Sequence, residues 1–92
     1  MLMKKYVLIF KTSIRTILER SHLIAKLYQV SKDVKFATVD LDDEDFILRI
    51  ESTQRNEDFI SRFLHLEGHQ VAFLAAFEKD EQGRPLLQPA YY

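Results

Sequence analysis

The residue types that could do chemistry in this chain are few, and the most reactive type is missing. The sequence contains no cysteine, so it offers neither a thiolate ligand nor a thiol nucleophile. Its three histidines are His22, His65 and His69. No nucleophile–base motif, phosphate-binding loop or dinucleotide fingerprint appears in the sequence. We therefore expect no catalytic residue, no cofactor site and no enzymatic activity.

Two of the histidines have a spacing that a metal site could use. His65 and His69 are four residues apart, which places two side chains on one face of a continuous helix. Gly68 lies between them and is typical of a helix end. No Glu-x-x-His pattern or other zinc signature accompanies the pair. We interpret these residues, and the unpaired His22, as surface or helix-end histidines. A metal site of histidine and carboxylate ligands is the alternative.

An acidic run, Asp40 to Asp45, stands near the middle of the chain. It lacks the glycine and the closing glutamate that a calcium-binding loop of the EF-hand type requires. Four consecutive acidic residues, 42–45, also pair poorly within a sheet, whereas aspartate favours turns by bonding its own backbone. The run therefore predicts a solvent-exposed hairpin turn.

Thr16 and Glu19 have the spacing of a capping box at the start of a helix. The threonine hydroxyl can accept a hydrogen bond from the amide three residues later, while the glutamate reaches back to the amide of the cap residue. The pattern predicts that these two side chains stabilise a helix start by hydrogen bonds.

The hydrophobic pattern predicts the elements that must position these residues. Apolar residues run continuously or alternate in segments typical of strands, and recur at helical spacing in two others. The helical stripes are Ile17, Leu18, Ile24, Leu27 and Tyr28 in the first helix, and Phe59, Ile60, Phe63 and Leu64 in the second. In chain order the sequence predicts a strand over 5–11, a helix over 16–30, strands over 34–41 and 46–51, a helix over 54–67 and a strand over 71–77.

This order predicts a ferredoxin-like α+β fold. Two strands joined by a short turn are antiparallel, and each strand–helix–strand unit crosses over right-handedly. Two interleaved units give a βαββαβ sandwich, in which a four-stranded antiparallel sheet carries two helices on one face. We assign residues 1–78 to this domain. Residues 79–92, which contain both prolines, are expected to form an irregular tail.

Three segments resemble the heavy-metal-associated domain family, the fold of soluble copper chaperones. The second predicted strand ends in Val39-Asp40-Leu41, the second helix contains Asp58-Phe59-Ile60 and Leu64, and Gly68-His69 follows it. These pieces match the family in order and spacing over roughly residues 5–74. The resemblance implies the same ferredoxin-like fold.

The resemblance also implies where a metal site would lie and that it has been lost. In the family, a Met-x-Cys-x-x-Cys motif precedes the first helix, and its thiolates clamp a soft ion such as Cu(I). The motif methionine falls at about Ile14, and the two cysteines fall at about Thr16 and Glu19. A hydroxyl and a carboxylate are hard ligands, so metal transfer does not carry over to these vestigial positions.

Bulk composition argues against charged macromolecular partners. The 92 residues carry a net charge of -1, with 47% hydrophobic and 29% charged residues. This balance offers no attraction to nucleic acid or to an anionic membrane. Phe36 is expected to face outward, yet the third strand lacks the pattern of an RNA-recognition domain. The apolar run at 6–10 is too short for a signal peptide, so we expect a cytoplasmic protein.

One feature predicts a protein partner. The first and last strands are apolar on both faces, whereas helices cover only one face of the sheet. Either the tail residues Leu86, Leu87, Tyr91 and Tyr92 or a second subunit could cover the other face. We expect a non-catalytic protein-interaction or regulatory module that forms a homodimer or binds another protein. The alternatives are the histidine–carboxylate metal protein and a small-ligand regulatory domain of the ACT type.

Overall fold

The structure of this chain, a computed structural model, describes residues 4–79. Its elements are β1 (Lys5–Thr12), α1 (Ile17–Val30), β2 (Val34–Val39), β3 (Ile47–Ser52), α2 (Glu57–Leu66) and β4 (Val71–Lys79). The predicted order of strands and helices is confirmed. The predicted irregular tail begins at Lys79, which the structure places at the end of β4. The rest of that segment, 80–92, and its proposed role as a cover lie outside the described residues.

The four strands form one antiparallel sheet in the order β2-β3-β1-β4. β1 lies between β3 and β4, with Leu8 opposite Ile50 on one side and Ala76 on the other. Strands adjacent in sequence are therefore separated in the sheet wherever a helix connects them. This split arrangement is the ferredoxin-like fold that the sequence predicts.

The two faces of the sheet differ in what covers them. Leu8 and Phe10 of β1 belong to the main core together with residues from both helices, whereas Val7 and Ile9 belong to a separate cluster with Phe77 and Ile47. Alternate residues of a strand point to opposite faces, so the second cluster lies on the face away from the helices. We call this the open face. The helix side chains buried in the main core are Leu23, Leu27, Ile60, Phe63 and Leu64.

The buried stripe of α1 differs from the predicted one. Ile17 and Leu18 were expected to face the core, but they are 64% and 82% exposed. They precede the buried Leu23 by six and five residues, which at 100° per residue turns them away from the Leu23–Leu27 row. Ile14, from the loop before the helix, is fully buried in the main core instead.

Tyr28, also predicted for the α1 stripe, lies at its margin. Its side chain is exposed over part of the ring, and its hydroxyl accepts a hydrogen bond of 3.1 Å from the backbone N–H of Ala37 in β2. The residue therefore links α1 to the edge strand of the sheet by its polar end. Hydropathy alone does not distinguish this role from burial.

Helix α2 begins three residues later than predicted, at Glu57 rather than Gln54. The Ser52 hydroxyl, at the end of β3, accepts from the N–H of Gln54 and donates to the side-chain oxygen of Asn56. These bonds hold residues 52–56 in a turn that delays the helix.

The end of α2 matches the prediction at Gly68. Its φ is +89°, and the N–H groups of Gly68 and His69 donate to the carbonyls of His65 and Leu64. This pair of bonds is a Schellman motif, which requires a left-handed residue and so favours glycine.

Candidate functional site

Thr16 and Glu19, the residues that the sequence resemblance aligns with two metal-binding cysteines, form a capping box. Thr16 is the N-cap of α1, and its hydroxyl oxygen accepts from the N–H of Glu19 at 3.1 Å. Glu19 Oε1 in turn accepts from the N–H groups of Arg15 and Thr16, each at 3.1 Å, and from the Thr16 hydroxyl. The capping box predicted from the sequence is confirmed. Both side chains are engaged in capping the start of α1.

The same hydrogen bonds perturb the acidity of Glu19. The backbone N–H of Arg15 is the largest influence that lowers the pKa of the Glu19 carboxyl below its ordinary value, followed by the Thr16 side chain and backbone. The positive charge that His69 can carry contributes in the same direction. Hydrogen bonds to a carboxylate favour its ionised form. Glu19 is therefore an ionised capping group at neutral pH.

Ile14, which the resemblance aligns with the motif methionine, differs from Thr16 and Glu19 in being buried. Its side chain lies in the main core, and its N–H donates to the Thr12 hydroxyl at 3.2 Å. The Thr12 hydroxyl donates to the carbonyl of Phe46 at 2.7 Å, so the loop after β1 is tied to the start of β3. Ile14 anchors this loop, while Thr16 and Glu19 stand at the surface.

The histidines do not form a common site. His22 Nε2 lies 3.9 Å from Glu67 Oε1, and the same carboxylate accepts a 2.9 Å hydrogen bond from Lys26. His65 is exposed in the last turn of α2, and His69 follows the helix end. Within residues 4–79 no three histidine or carboxylate side chains are grouped in a way that could hold a metal ion. Glu67 instead clamps α1 to the end of α2.

The acidic run uses its carboxylates to hold its own turn. Asp40 Oδ1 accepts from the N–H of Asp42 at 3.0 Å, and Asp43 Oδ1 accepts from the N–H of Asp45 at 2.7 Å. Asp45 also forms an ion pair of 3.2 Å with Lys11. These are the self-bonding turns that aspartate favours, as the sequence predicted.

Phe46 closes the turn in a conformation that the sequence did not indicate. Its φ is +47°, in the left-handed region that a bulky side chain rarely adopts. Its ring packs against the main core and lies 5.8 Å from the guanidinium carbon of Arg15. Core packing, the Arg15 contact and the bond from Thr12 together hold this residue. No local pattern in the sequence marks such a position.

A groove of about 880 Å³ lies where the open face meets the acidic turn and the first turn of α1. The sequence did not predict it, although the two-sided apolar character of β1 and β4 pointed to the face that contains it. Its apolar lining includes Ile9, Ile47 and Leu74, and its charged lining is Arg20, Arg49, Asp40, Asp42 and Asp43. Leu74 is 50% exposed. The groove thus combines exposed apolar surface with charges of both signs.

The arginines of the groove are available to a partner. Arg20 donates a long hydrogen bond of 3.5 Å to the carbonyl of Val39, whereas Arg49 lies opposite Ile9 on the open face. Neither forms an ion pair with any residue in the part of the chain that the structure describes. An acidic side chain from another molecule could therefore bind either guanidinium.

Comparison with known proteins identified no relative of this chain. No protein-family model, curated protein or solved structure matches the chain. Of the two helices within residues 4–79, neither is long and apolar enough to cross a membrane. The class that the structure defines is a ferredoxin-like α+β domain, and its function is argued from the surfaces described above.

Proposed function

We propose that this chain is a non-catalytic module of the heavy-metal-associated type that has lost its thiolate site and acts through protein contacts, as a homodimer joined at the groove. The observation that carries the proposal is the exposed apolar surface of the groove, to which Leu74 and Ile17 both contribute. Soluble monomers rarely leave a contiguous apolar patch uncovered, and such patches mark interaction sites.

The charges around the groove favour a second copy of the chain as the partner. The lining includes the acidic residues Asp40, Asp42 and Asp43, and also Arg20 and Arg49, neither of which forms an ion pair within residues 4–79. In a two-fold dimer the same surface is used by both subunits. A contact between an aspartate of one subunit and an arginine of the other is therefore formed twice, once in each direction. A surface that carries both signs can therefore complement itself, with the acidic turn of each subunit against the arginines of the other.

The capping box supports the loss of the metal function. Thr16 and Glu19 occupy the positions where the resembled family places its thiolates, and each already accepts hydrogen bonds from the helix start. Recruiting them as ligands would leave backbone N–H groups without partners, which costs stability.

Subunit number tests the proposal. We expect the unaltered chain to be a dimer at micromolar concentration, and Leu74→Asp to shift it to monomer because a carboxylate would be buried in the apolar part of the interface. Leu66→Asp is the matched control, since Leu66 is 86% exposed on α2, away from the open face. Native mass spectrometry measures subunit number and any bound metal ion together.

Two results would contradict the proposal. One is a monomeric unaltered chain at concentrations well above those in the assay, and the other is equal dissociation by Leu74→Asp and Leu66→Asp. A charge-swap experiment gives a further check: Arg49→Glu should weaken the dimer, and mixing it with an Asp43→Arg chain should restore association between the two variants.

A further inference from the structure

Thr12, the last residue of β1, holds the acidic turn at two consecutive points. Its backbone N–H donates to the carbonyl of Asp45 at 3.3 Å, and its hydroxyl donates to the carbonyl of Phe46 at 2.7 Å. The hydroxyl oxygen also accepts from the N–H of Ile14, so the side chain is used both as donor and as acceptor. Thr12 therefore joins the end of β1, the loop that leads to α1 and the turn that leads to β3.

The turn that Thr12 holds is strained at Phe46. This residue has a φ of +47°, and its N–H donates to the carbonyl of Asp43 at 3.0 Å. Lys11, next to Thr12, adds an ion pair of 3.2 Å with Asp45. A bulky residue in the left-handed region persists only where the surrounding contacts over-determine it, and such residues cluster at binding and switch sites. The strain therefore points to a use for the orientation of the turn.

The orientation of the turn decides how the charges of the groove are arranged. Asp42 and Asp43 precede Phe46 in the turn, and both line the groove. Arg20 and Arg49 line the same groove from α1 and β3, which are regular elements of the fold. The position of the acidic charges relative to the arginines thus depends on how the turn is fastened.

We propose that Thr12 is a positioning residue for the groove, whose hydroxyl holds the acidic turn in the orientation that presents Asp42 and Asp43 to the second subunit. Thr12 is not among the residues that line the groove, and it acts through Phe46. The effect on dimerisation rests on the proposed function, whereas the hold on the turn is a property of the single chain.

The chain offers a matched control for this hydroxyl. Thr12→Val removes the hydroxyl and keeps the branched shape, while Thr12→Ser keeps the hydroxyl. The control is Thr53, whose hydroxyl donates to Asp33 Oδ1 at 3.0 Å and so also ties two loops together. Thr53 follows the end of β3 opposite to Ile47, which lines the groove. Thr53→Val therefore removes an equivalent bond away from the acidic turn.

Hydrogen exchange of single amides, measured by NMR, reports the hold on the turn. The reporters are the N–H of Phe46, bound to the Asp43 carbonyl, and the N–H of Thr53, bound to the Asp33 carbonyl, each at 3.0 Å. In the Leu74→Asp background, which removes the effect of the dimer, we expect Thr12→Val to accelerate exchange at Phe46 by about tenfold or more relative to Thr53.

The other two variants set the limits of this effect. Thr12→Ser should leave both exchange rates close to those of the parent chain, because the hydroxyl is retained. Thr53→Val should accelerate exchange at position 53 and leave exchange at Phe46 unchanged.

The dissociation constant of the dimer reports the consequence for the groove. We expect Thr12→Val to raise it by about tenfold or more, since a two-fold interface uses the turn twice. Thr12→Ser and Thr53→Val should leave it unchanged. Sedimentation of each variant over a dilution series, without the Leu74 substitution and at a temperature where all are folded, measures the constant.

Two outcomes would overturn the inference. If Thr12→Val does not accelerate exchange at Phe46 more than at Thr53, the hydroxyl does not hold the turn locally. If it does so but leaves the dissociation constant unchanged, the orientation of the turn does not matter to the second subunit. A monomeric unaltered chain would contradict the proposed function instead, and the exchange rate at Phe46 would still decide whether Thr12 holds the turn.

Discussion

At the scale of single residues, Thr16 and Glu19 show that side chains at the surface can have a defined set of hydrogen-bond partners without being buried. Thr16 is exposed, yet its hydroxyl both accepts from the Glu19 N–H and donates to the Glu19 carboxylate. Short-range patterns of this kind are readable from sequence because both partners lie within one turn of helix.

Removing the Thr16 hydroxyl should destabilise the fold. We expect Thr16→Ala to lower the free energy of unfolding by about 0.5–2 kcal/mol, the usual cost of losing a helix cap. Thr16→Ser keeps the hydroxyl and should stay close to the unaltered chain. Urea denaturation of the three proteins measures the difference, and equal stability of the alanine and serine variants would argue against a capping role.

Glu19 should make stability depend on pH. Its pKa is lower in the folded chain than its ordinary value of 4.5, mainly through the Arg15 N–H. The stabilisation is therefore fully present above the ordinary value and is lost as the pH falls through the folded pKa. Glu19→Gln retains a capping side chain without the charge. We expect the difference in unfolding free energy between the two proteins to be largest at neutral pH and to shrink in acid.

Urea denaturation from neutral pH down to about pH 3, below the ordinary glutamate pKa, measures this difference. Glu44→Gln, an exposed glutamate in the acidic turn, is the control for a general effect of removing one negative charge. A gap between the unaltered and Glu19→Gln proteins that stays constant across this range would contradict the expectation.

Phe46 is the residue whose conformation could not be predicted. Its positive φ depends on partners far away in sequence, since Thr12 binds its carbonyl and Arg15 stacks on its ring. Local preference disfavours the conformation at a cost of about 1–3 kcal/mol, so only the surrounding tertiary contacts can maintain it. The same dependence on distant partners explains why the groove, which several separate segments form, was not predicted.

At the scale of elements, the helix ends were predicted where a single residue type decides them. Gly68 ends α2 because a left-handed residue is needed there, and Thr16 begins α1 because an N-cap acceptor is needed. The start of α2 was placed wrongly because it depends on the hydrogen bonds of the Ser52 hydroxyl. Apolar periodicity predicted that both helices exist, but it did not predict that Ile17 and Leu18 in the first turn of α1 are exposed. Ile14, from the loop before the helix, is buried in the core instead.

Substitutions at Gly68 test whether its left-handed conformation is what ends α2. No atom outside its chain neighbours lies within 4 Å of the position that a Cβ would take, so a side chain there would meet no obstacle. Gly68→Ala should still lower stability by about 1–2 kcal/mol, because an L-residue is disfavoured in the left-handed region. Gly68→Asn should cost less, since asparagine tolerates that region better. Thermal and urea denaturation measure both, and a cost that is the same for alanine and asparagine would contradict a purely conformational origin.

At the scale of the whole molecule, the sheet order places the most protected backbone in β1. This strand is paired on both sides and contributes fully buried residues to both faces, whereas β2, among the strands that the structure describes, is paired only with β3. We expect the amides of Leu8 and Ile9 to exchange with solvent at the rate set by global unfolding, and those of β2 to exchange faster. Native-state hydrogen exchange by NMR measures this, and faster exchange in β1 than in β2 would contradict the order of stability.

The bond between Tyr28 and Ala37 has a consequence for aggregation. A strand with an unpaired edge can template the addition of further strands and so seed fibrils. In β2 one edge donor is already bound by the tyrosine hydroxyl, Lys35 contributes a charge, and the pairing shifts register between Val34 and Phe36. These features disfavour indefinite growth along that edge. If the chain associates through the open face as proposed, this protection of the β2 edge would favour a closed pair over polymerisation along β2.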